Sequence, residues 1–565
     1  MSSSKKKQLR NEQQLTERQR AAARETKEAR QLRAYTLTFW VVIGLVLAIF
    51  VGAVSLNPVK NIIYKNTDAI QVGDHTLSSV EANYFYIDAI NGYVNQYSSY
   101  ISYILDTTKP LNQQVTDKET GKTWADGFLD MAKSSMKSTY ALYDEAMKNN
   151  FQLSEEQQKS VDALMSNLDI YASLYGYKNA NAYLRAVYGN GATKESYREY
   201  YTVCTIADAY YDAYSDSLEY TDADLREFEA GSAFQYNAYT FATYYLSVTS
   251  FCEGGKKDDK GNITYSEGEK LAAREKILAI ANKLAAGEYS SVLDFDKAIS
   301  EAIDEATKDT EIDKSKLSTT STKYNDKLYS GVDSKFRDWI IGKVEPENED
   351  DEPTYVERKE GELTVIPYTT GTGENEVING YYVVRYESSN DNNFALKNVR
   401  HILVSFEGGT KDSNGNVTYS DAEKAAAKTA AEKLLQEWKD GAMTEESFAE
   451  LAKKNSTDTG SKANGGLYED IYPDQMVTAF NDWCFDEERQ VGDTGLVETN
   501  YGYHVMFFVG NSETLFRDYM ITNAHRSSDL TAWQDALVEA IKLEELNIKH
   551  IKMDLVLKAD THDHA

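Results

Sequence analysis

The stretch that decides the fold occurs twice. Residues 253–273 read EGGKKDDKGNITYSEGEKLAA and residues 407–427 read EGGTKDSNGNVTYSDAEKAAA, and the two are identical at 14 of 21 positions. Each copy holds a Gly-Asn turn, followed by a Ser-x-x-Glu capping box that predicts the start of a helix. An internal repeat of this kind predicts two tandem α+β domains, placed at 236–390 and 391–512.

The residues around the repeat extend the correspondence. An apolar strand is predicted before each copy, at Thr240–Phe251 and at Val399–Phe406. Further on, the two copies share the pattern Phe-x-Asp-Trp and a Gly-aromatic-x-Val strand. These matches are Phe336-x-Asp338-Trp339 with Phe480-x-Asp482-Trp483, and Gly380-Tyr381-Tyr382-Val383 with Gly502-Tyr503-His504-Val505.

Composition excludes several classes of protein. The 565 residues include 60 Lys and Arg against 90 Asp and Glu, and a net charge of −30 repels the phosphates of a nucleic acid. The three cysteines are scattered and show no metal-ligand spacing. Neither a nucleotide-binding loop nor a hydrolase motif occurs. We therefore expect no nucleic-acid partner, no cofactor and no metal.

The N-terminus predicts a membrane anchor. Residues 1–34 hold ten basic and four acidic side chains, and residues 35–56 form 22 positions without a charge, long enough to cross about 30 Å of hydrocarbon. The positive-inside rule keeps the basic segment 1–34 in the cytoplasm and places the bulk of the chain outside. The alternative is a cleavable signal peptide ending near Ala53-Val54-Ser55. We expect an uncleaved single-pass protein of the cell membrane.

Helical segments flank the repeats. Residues 57–235 begin with a short strand at 69–74 and then show helical periodicity, with capping boxes at Ser78, Ser154 and Thr221. Its tyrosines either line a groove for unfolded chains or form ordinary half-buried helix faces. The tyrosines in question are Tyr84, Tyr86, Tyr93, Tyr97, Tyr100, Tyr171, Tyr175 and Tyr177. The C-terminal segment 513–565 predicts one helix, Asp529–Glu545, which packs back on the first helical domain.

Two histidines of the second copy are candidates for chemistry. His401 and His504 lie in predicted apolar strands at opposite ends of the domain. A lone strand histidine is more often a satisfied core residue than a functional one. Here, however, both are replaced in the first copy, where Tyr382 stands at the position of His504 and Leu246 or Ser247 at that of His401.

Residues 397–510 resemble the parvulin family of peptidyl-prolyl isomerases. The motifs that carry the resemblance, in family order, are Arg400-His-Ile-Leu-Val404, Phe448-Ala-Glu-Leu-Ala452, Ser456-Thr457-Asp458, Asn464-Gly-Gly-Leu467, Gln475-Met476 with Phe480, and Thr499-x-Tyr-Gly-Tyr-His504. The resemblance implies that His401, Asp458 and His504 form the catalytic polar cluster. It also implies that Leu467, Met476 and Phe480 form the proline pocket and that Thr499 hydrogen-bonds near the second histidine.

The sequence departs from the family in two places. Tyr468–Pro473 replaces the usual glycine-rich turn, and Trp483-Cys484 replaces two small residues. Both departures concern substrate preference more than activity. The first copy lacks both histidines, which predicts a non-catalytic parvulin-like domain that binds peptide or acts as a spacer.

The layout as a whole resembles the extracytoplasmic foldases of the PrsA and SurA kind. This resemblance implies that 57–235 is a helical chaperone module and that the source is bacterial. We expect an isomerase of X-Pro bonds that assists the folding of exported, incompletely folded polypeptides. Its other expected partners are the membrane, through residues 35–56, and a second copy in a homodimer. The alternatives are a holdase with two inert parvulin-like domains and, less compatible with the retained pocket, a surface scaffold.

Overall fold

The computed structural model describes residues 58–98, 100–257, 260–261, 263–346, 348, 352–412 and 415–557. The predicted basic segment 1–34 and membrane anchor 35–56 lie outside these residues. Within the described ranges, no helix combines the length and the apolar character needed to cross a bilayer. The described residues divide into two compact units: those within 58–220, 458–463 and 524–557 form the first, and those within 221–457 and 464–523 form the second.

The first unit starts with a hairpin followed by helices. In chain order the elements are α1 Pro58–Lys65, β1 Asp68–Val72, β2 His75–Ser78, α2 Ser79–Gln96, α3 Ile101–Ile104, α4 Trp124–Lys148, α5 Glu155–Leu174, α6 Ala180–Tyr188 and α7 Lys194–Ser217. The predicted capping boxes at Ser78 and Ser154 are present, each side chain accepting a hydrogen bond from the amide three residues on. These helices begin where the sequence signal places them.

The tyrosines of this unit mostly face its interior. Tyr84 and Tyr86 are fully buried, and the Tyr84 ring packs edge-on against Tyr188 and Tyr197 at centroid distances of 4.9 and 5.3 Å. Tyr84 and Tyr86 have no exposed surface and lie in the hydrophobic core of the first unit, so the groove hypothesis is wrong for these two tyrosines. Tyr100, in contrast, is 66% exposed.

The second unit begins with a short helix, which is followed by the first repeat. Its elements are α8 Asp222–Glu229, β3 Ala238–Ser247, α9 Val248–Phe251, β4 Lys256–Lys257, β5 Ile263–Thr264, α10 Glu267–Ala285, α11 Val292–Thr307, β6 Thr322–Leu328, α12 Ser334–Ile340, β7 Lys343–Val344, β8 Thr354–Tyr355, β9 Leu363–Thr370 and β10 Val377–Asn390. An antiparallel sheet has the order β6-β3-β10-β9. Helices α10 and α11 cover one face and α12 covers the other.

The second repeat has the same architecture. Its elements are β11 Ala395–Ser405, β12 Thr410–Lys411, β13 Val417–Thr418, α13 Asp421–Lys439, α14 Glu445–Asn455, β14 Leu467–Ile471, α15 Thr478–Cys484, β15 Thr494–Thr499 and β16 Gly502–Leu515. The antiparallel sheet order is β14-β11-β16-β15. Helices α13 and α14 pack on one face and α15 on the other. Both repeats therefore share one strand order, as tandem copies of a domain require.

Strand register corrects one alignment between the repeats. Ser247 pairs with Gly380 in the first sheet, and Ser405 pairs with Gly502 in the second. Counting from these pairs, the counterpart of His504 is Tyr382, as expected, but the counterpart of His401 is Thr243. Leu246 or Ser247 was predicted as the counterpart of His401, and this prediction was wrong. The strand was predicted to run to Phe251, but β3 ends at Ser247. The last residues of the predicted strand form the helical turn α9, which follows β3 and has no equivalent after β11.

The chain then returns to the first unit through α16 Phe516–Ala540 and β17 Leu543–Glu545. The predicted helix Asp529–Glu545 is wrong at both ends: the helix starts at Phe516, and β17 pairs antiparallel with β1 to give the sheet order β17-β1-β2. The expected packing on the helical segment is seen at Trp533, whose ring stacks on Tyr214 of α7 at 3.9 Å.

Candidate active site

The two candidate histidines of the second repeat are in direct contact. His401 lies in β11 and His504 in the adjacent strand β16, displaced along the sheet because His504 pairs with Leu403. Both side chains project to the face covered by α15, and they are 2% and 5% exposed. Their Nδ1 atoms are 2.9 Å apart, which is a hydrogen-bond distance.

This contact constrains the protons of the pair. A hydrogen bond between two ring nitrogens needs one of them protonated and the other bare. The two imidazoles therefore share one proton across the Nδ1 atoms, and a second proton there would break the bond. Which ring donates is set by the tautomers.

Thr499 extends the hydrogen-bonded chain. Its Oγ1 lies 2.9 Å from Nε2 of His504 and accepts a hydrogen bond from the amide of Tyr501 at 3.1 Å. Thr499 pairs with Gly502 at the end of β15, so the strand ladder fixes its position relative to His504. Both ring nitrogens of His504 are thus engaged, which holds the ring in one orientation. The expected contact of Thr499 with the second histidine is present.

Phe480 supplies an apolar wall against both imidazoles. It is 2% exposed, and its ring meets His401 and His504 edge-on, at centroid distances of 5.4 and 5.3 Å and interplanar angles of 83°. Met476 packs in the same cluster. Buried residues of the sheet and of α15 support this wall, namely Val399, Ile471, Cys484, Val497, Met506 and Phe508.

Tyr468, rather than Leu467, completes this side of the site. Residues directly opposite each other on neighbouring strands share a face of the sheet. Leu467 pairs with Arg400, on the face of α13 and α14, whereas Tyr468 pairs with Val399, on the face of α15. The Tyr468 ring lies 5.2 Å from His401 and 6.5 Å from Phe480. The assignment of Leu467 to the pocket is therefore corrected to Tyr468.

The sequence contained a signal for Tyr468. Alternation along a strand places Leu467 and Tyr468 on opposite faces, so only one of them can reach the histidines. Tyr468 also stands at the position of Tyr324 in the first repeat, whose ring faces the equivalent site. Motif matching alone favoured Leu467 because the residue type agreed with the family.

A two-glycine turn fixes the backbone of His401. The amide of His401 donates a hydrogen bond to the carbonyl of Gly466 at 2.8 Å, and Arg400 donates to the carbonyls of Asn464 and Gly465. Gly466 has φ +73°, and a Cβ there would lie 2.1 Å from the carbonyl oxygen of His401. Only glycine allows this close approach.

Asp458 follows a segment that is bound to β11. The Ser456 hydroxyl accepts a hydrogen bond from the amide of Leu403, and the Thr457 amide donates to the Leu403 carbonyl. The Asp458 carboxylate accepts hydrogen bonds from the amide of Gly460 and the hydroxyl of Ser461 in its own turn. The structure thus brings together His401, His504, Thr499, Phe480 and Met476. Asp458 lies in the segment 458–463, which belongs to the first compact unit.

The equivalent place in the first repeat contains tyrosines. By register, Thr243 replaces His401, Tyr382 replaces His504 and Tyr368 replaces Thr499. Phe336 takes the place of Phe480, and its ring lies 5.3 Å from Tyr382 at 71°. The apolar wall is retained, whereas the imidazole pair is lost.

Comparison with known proteins identifies the second repeat. Residues 381–510 match the sequence model described as the PPIC-type PPIASE domain. These residues form a parvulin-type PPIase domain. The match begins at Tyr381 in β10, before the boundary at 391 that the repeat predicts.

Relatives of this domain are foldases. The chain is 32% identical over 109 residues to foldase protein PrsA 1 of Listeria monocytogenes, a match that covers 18% of this chain and 37% of the relative. It is 40% identical over 76 residues to foldase protein PrsA 3 of Bacillus cereus, covering 13% and 26%. The matches thus span only about a quarter to little more than a third of the length of these relatives.

One solved structure shares part of the chain. A crystal structure of peptidylprolyl isomerase (PrsA) from Bacillus anthracis is 21% identical and covers 26% of this chain and 59% of its own. Its TM-score of 0.17 is too low to bear on the arrangement of the whole protein.

Proposed function

We propose that the second repeat catalyses cis/trans isomerisation of X-Pro peptide bonds. The observation that carries this proposal is the hydrogen-bonded pair His401–His504, walled on one side by the buried ring of Phe480. An apolar ring and a polar pair thus lie side by side, which is the combination that binding of a proline ring and its preceding amide requires. The match to the PPIC-type PPIASE domain supports the same activity.

The reaction requires no covalent step. Amide resonance opposes rotation with a barrier of about 18–20 kcal/mol, and the twisted amide at the top of the barrier has lost that resonance. A catalyst accelerates rotation by binding the twisted amide more tightly than the planar one. Each 1.36 kcal/mol of such preference gives about a tenfold rate increase.

The apolar wall acts on the proline side of the bond. Phe480, Met476 and Tyr468 offer ring and thioether surface that grips the pyrrolidine ring and excludes water from it. Removing water from a planar amide disfavours its polar resonance form, which is the form that resists rotation. This wall therefore lowers the barrier as well as binding the substrate.

The polar cluster orients and stabilises the rotating group. Thr499 and the Nδ1 contact hold the two imidazoles in fixed orientations, so their hydrogen-bonding atoms need no rearrangement during rotation. The resemblance to parvulins adds Asp458 to this cluster. We propose His401, Asp458 and His504 as the catalytic residues and Thr499 as the residue that positions His504.

At the level of the whole chain we propose a membrane-anchored extracytoplasmic foldase. The uncharged segment 35–56 after a basic stretch supports the anchor, and the foldase relatives support assistance to the folding of exported, incompletely folded polypeptides. In this proposal, 57–235 is the chaperone-like helical segment, 236–390 the degenerate repeat, 391–512 the isomerase domain and 513–565 the C-terminal segment.

Isomerisation of a short X-Pro peptide by the full-length chain tests the activity. We expect acceleration that His401→Ala and His504→Ala each reduce at least tenfold, while His75→Ala, which alters a histidine of the first unit, leaves it unchanged. Absence of acceleration by a folded chain that still suppresses aggregation of an unfolded client would instead support the holdase.

A further inference from the structure

The first repeat presents an aromatic cluster on the face that carries the active site in the second repeat. Three half-buried tyrosines form it: Tyr382 lies 4.6 Å from Tyr245 and 6.2 Å from Tyr368, and Tyr245 lies 5.8 Å from Tyr368, all between ring centroids. Phe336 lies beneath Tyr382. We call these three tyrosines the tyrosine cluster.

The register shows what each tyrosine replaces. Tyr382 stands at the position of His504, Tyr368 at that of Thr499 and Tyr245 at that of Leu403. Each replacement adds a phenol ring, while the polar pair that would act on an amide is absent. The first repeat has therefore lost the catalytic groups and gained aromatic area at the same place.

The rings combine an apolar surface with hydrogen-bonding tips. The Tyr245 hydroxyl donates a hydrogen bond to the carbonyl of Asn379 at 3.2 Å. Burial raises the pKa of Tyr382, so its hydroxyl is an uncharged hydrogen-bonding group at neutral pH. The Lys335 ammonium lies 5.3 Å from the Tyr368 ring centroid and is paired with Asp333 at 2.8 Å. This ion pair therefore adds no net charge beside the Tyr368 ring.

We propose that the tyrosine cluster binds extended proline-containing segments of a substrate polypeptide without isomerising them. Clustered aromatic rings with hydroxyl tips recognise the polyproline II conformation, because proline rings pack on them and the free carbonyls of such a segment accept hydrogen bonds. The choice of proline rests on the proposed function, since the equivalent face of the sister domain is the X-Pro site.

Both sites lie in one compact unit. A substrate with two proline segments could then engage both sites, and the second contact would be intramolecular, which raises the effective concentration of X-Pro bonds at the isomerase site. The tyrosine cluster would lower the KM for long substrates and leave that for short ones unchanged.

Binding of a fluorescent (Ala-Pro)5 peptide to the full-length chain tests this site. We expect Phe480→Ala, which removes the wall of the isomerase site, to leave a clear binding signal. The double variant Tyr368→Ala/Tyr382→Ala should weaken that remaining binding at least tenfold in the same background. Tyr355→Ala, an exposed tyrosine elsewhere in the first repeat, serves as the matched control and should have no effect.

A second readout covers the case in which the double variant unfolds. The same peptide with a photoreactive end should cross-link to residues near Tyr245, Tyr368 or Tyr382 in the otherwise unaltered chain. Loss of all binding on Phe480→Ala alone, or cross-links confined to the second repeat, would overturn the proposal. Peptide binding at the cluster in a chain that does not isomerise short peptides would support it while contradicting the isomerase proposal.

Discussion

Phe336 and Phe480 occupy equivalent positions in the two repeats, and each ring centroid lies 5.3 Å from the side chain at the next equivalent position, Tyr382 or His504. The two domains therefore share an apolar wall and differ in what stands beside it. The proposed chemistry depends on the imidazole pair, which only the second repeat has among the described residues.

The first prediction concerns Phe480. Phe480→Ala removes the wall that both imidazoles contact, so we expect kcat/KM for a short X-Pro peptide to fall at least tenfold. Phe448→Ala is the matched control, because Phe448 is equally buried on the opposite face of the same sheet. Both variants should lose stability by about 3–5 kcal/mol. Equal losses of activity per folded molecule would contradict the assignment of Phe480 to the site.

The second prediction tests whether activity depends on the hydroxyl of Thr499 or only on the shape of its side chain. Thr499→Val keeps the branched side chain and removes the hydrogen bond to Nε2 of His504, so the imidazole loses one of its two anchors. We expect kcat to fall several-fold with little change in KM. Thr499→Ser restores the hydroxyl and should restore most of kcat. If serine fails to rescue activity, Thr499 does not position His504 through this bond.

The third prediction tests the turn behind His401. Gly466→Ala places a Cβ against the His401 carbonyl at a positive φ, and the turn must move to relieve the clash. We expect a loss of more than about 2 kcal/mol in the free energy of unfolding, measured by urea denaturation. Gly492→Ala is a suitable comparison, because Gly492 also has positive φ but a Cβ added to it would meet no atom within 4 Å. A similar loss in both variants would show that backbone conformation, not the contact with His401, sets the cost.

The fourth prediction concerns pH and the half-buried side chain of Asp88. Burial raises the pKa of Asp88 to about 6, although Tyr200 and Tyr188 donate hydrogen bonds to it at 2.8 and 3.2 Å. Between about pH 4 and about pH 6 the folded protein keeps a proton that the unfolded chain has lost, so stability falls as pH rises through this window. The decrease amounts to at most about 3 kcal/mol.

Asp88→Asn removes this titration. We expect the difference in the free energy of unfolding between variant and wild type to change with pH from about 4 to about 6 and to be constant above that range. Urea denaturation at a series of pH values measures it. Parallel profiles for the two proteins would show that Asp88 has an ordinary pKa.

The fifth prediction concerns how the C-terminal segment is held. Asn83 is fully buried; its amide donates to the carbonyls of Ser79 and His550, and its Oδ1 accepts from the amide of Lys552. Asn83→Ala leaves buried backbone groups without these partners, at a cost of about 1–3 kcal/mol or more. We expect faster hydrogen exchange at residues 547–553. Unchanged exchange there would assign the docking to the apolar contacts of Ile551 and Leu555 instead.

Local signals predicted much of this fold. The capping boxes at Ser78, Ser154, Thr221, Ser266 and Ser420 all begin helices, because each is closed by residues within one turn. The short antiparallel pairs β4–β5 and β12–β13 likewise lie on either side of the Gly-Asn pairs in the sequence. Such features depend on neighbours in the sequence and can be read from it.

Features that depend on distant residues were harder to predict. The helical turn α9 follows a strand without a break in apolar pattern, so no local signal indicated that His401 corresponds to Thr243. The face of Leu467 depends on its pairing with Arg400 across the sheet. The strand β17 reads as the end of a helix, and only its partner β1, far earlier in the chain, makes it a strand.

The pairing of β1 with β17 has a consequence for synthesis. Ile70 pairs with Glu545, so the ribosome must add 475 residues after Ile70 before its partner exists. At about 5–20 residues per second this takes roughly 25–95 s, during which one edge of β1 is open. The whole second unit lies between the two strands and is available to fold during that interval. The second repeat can therefore be complete before β1 has its partner β17, although β1 is translated first.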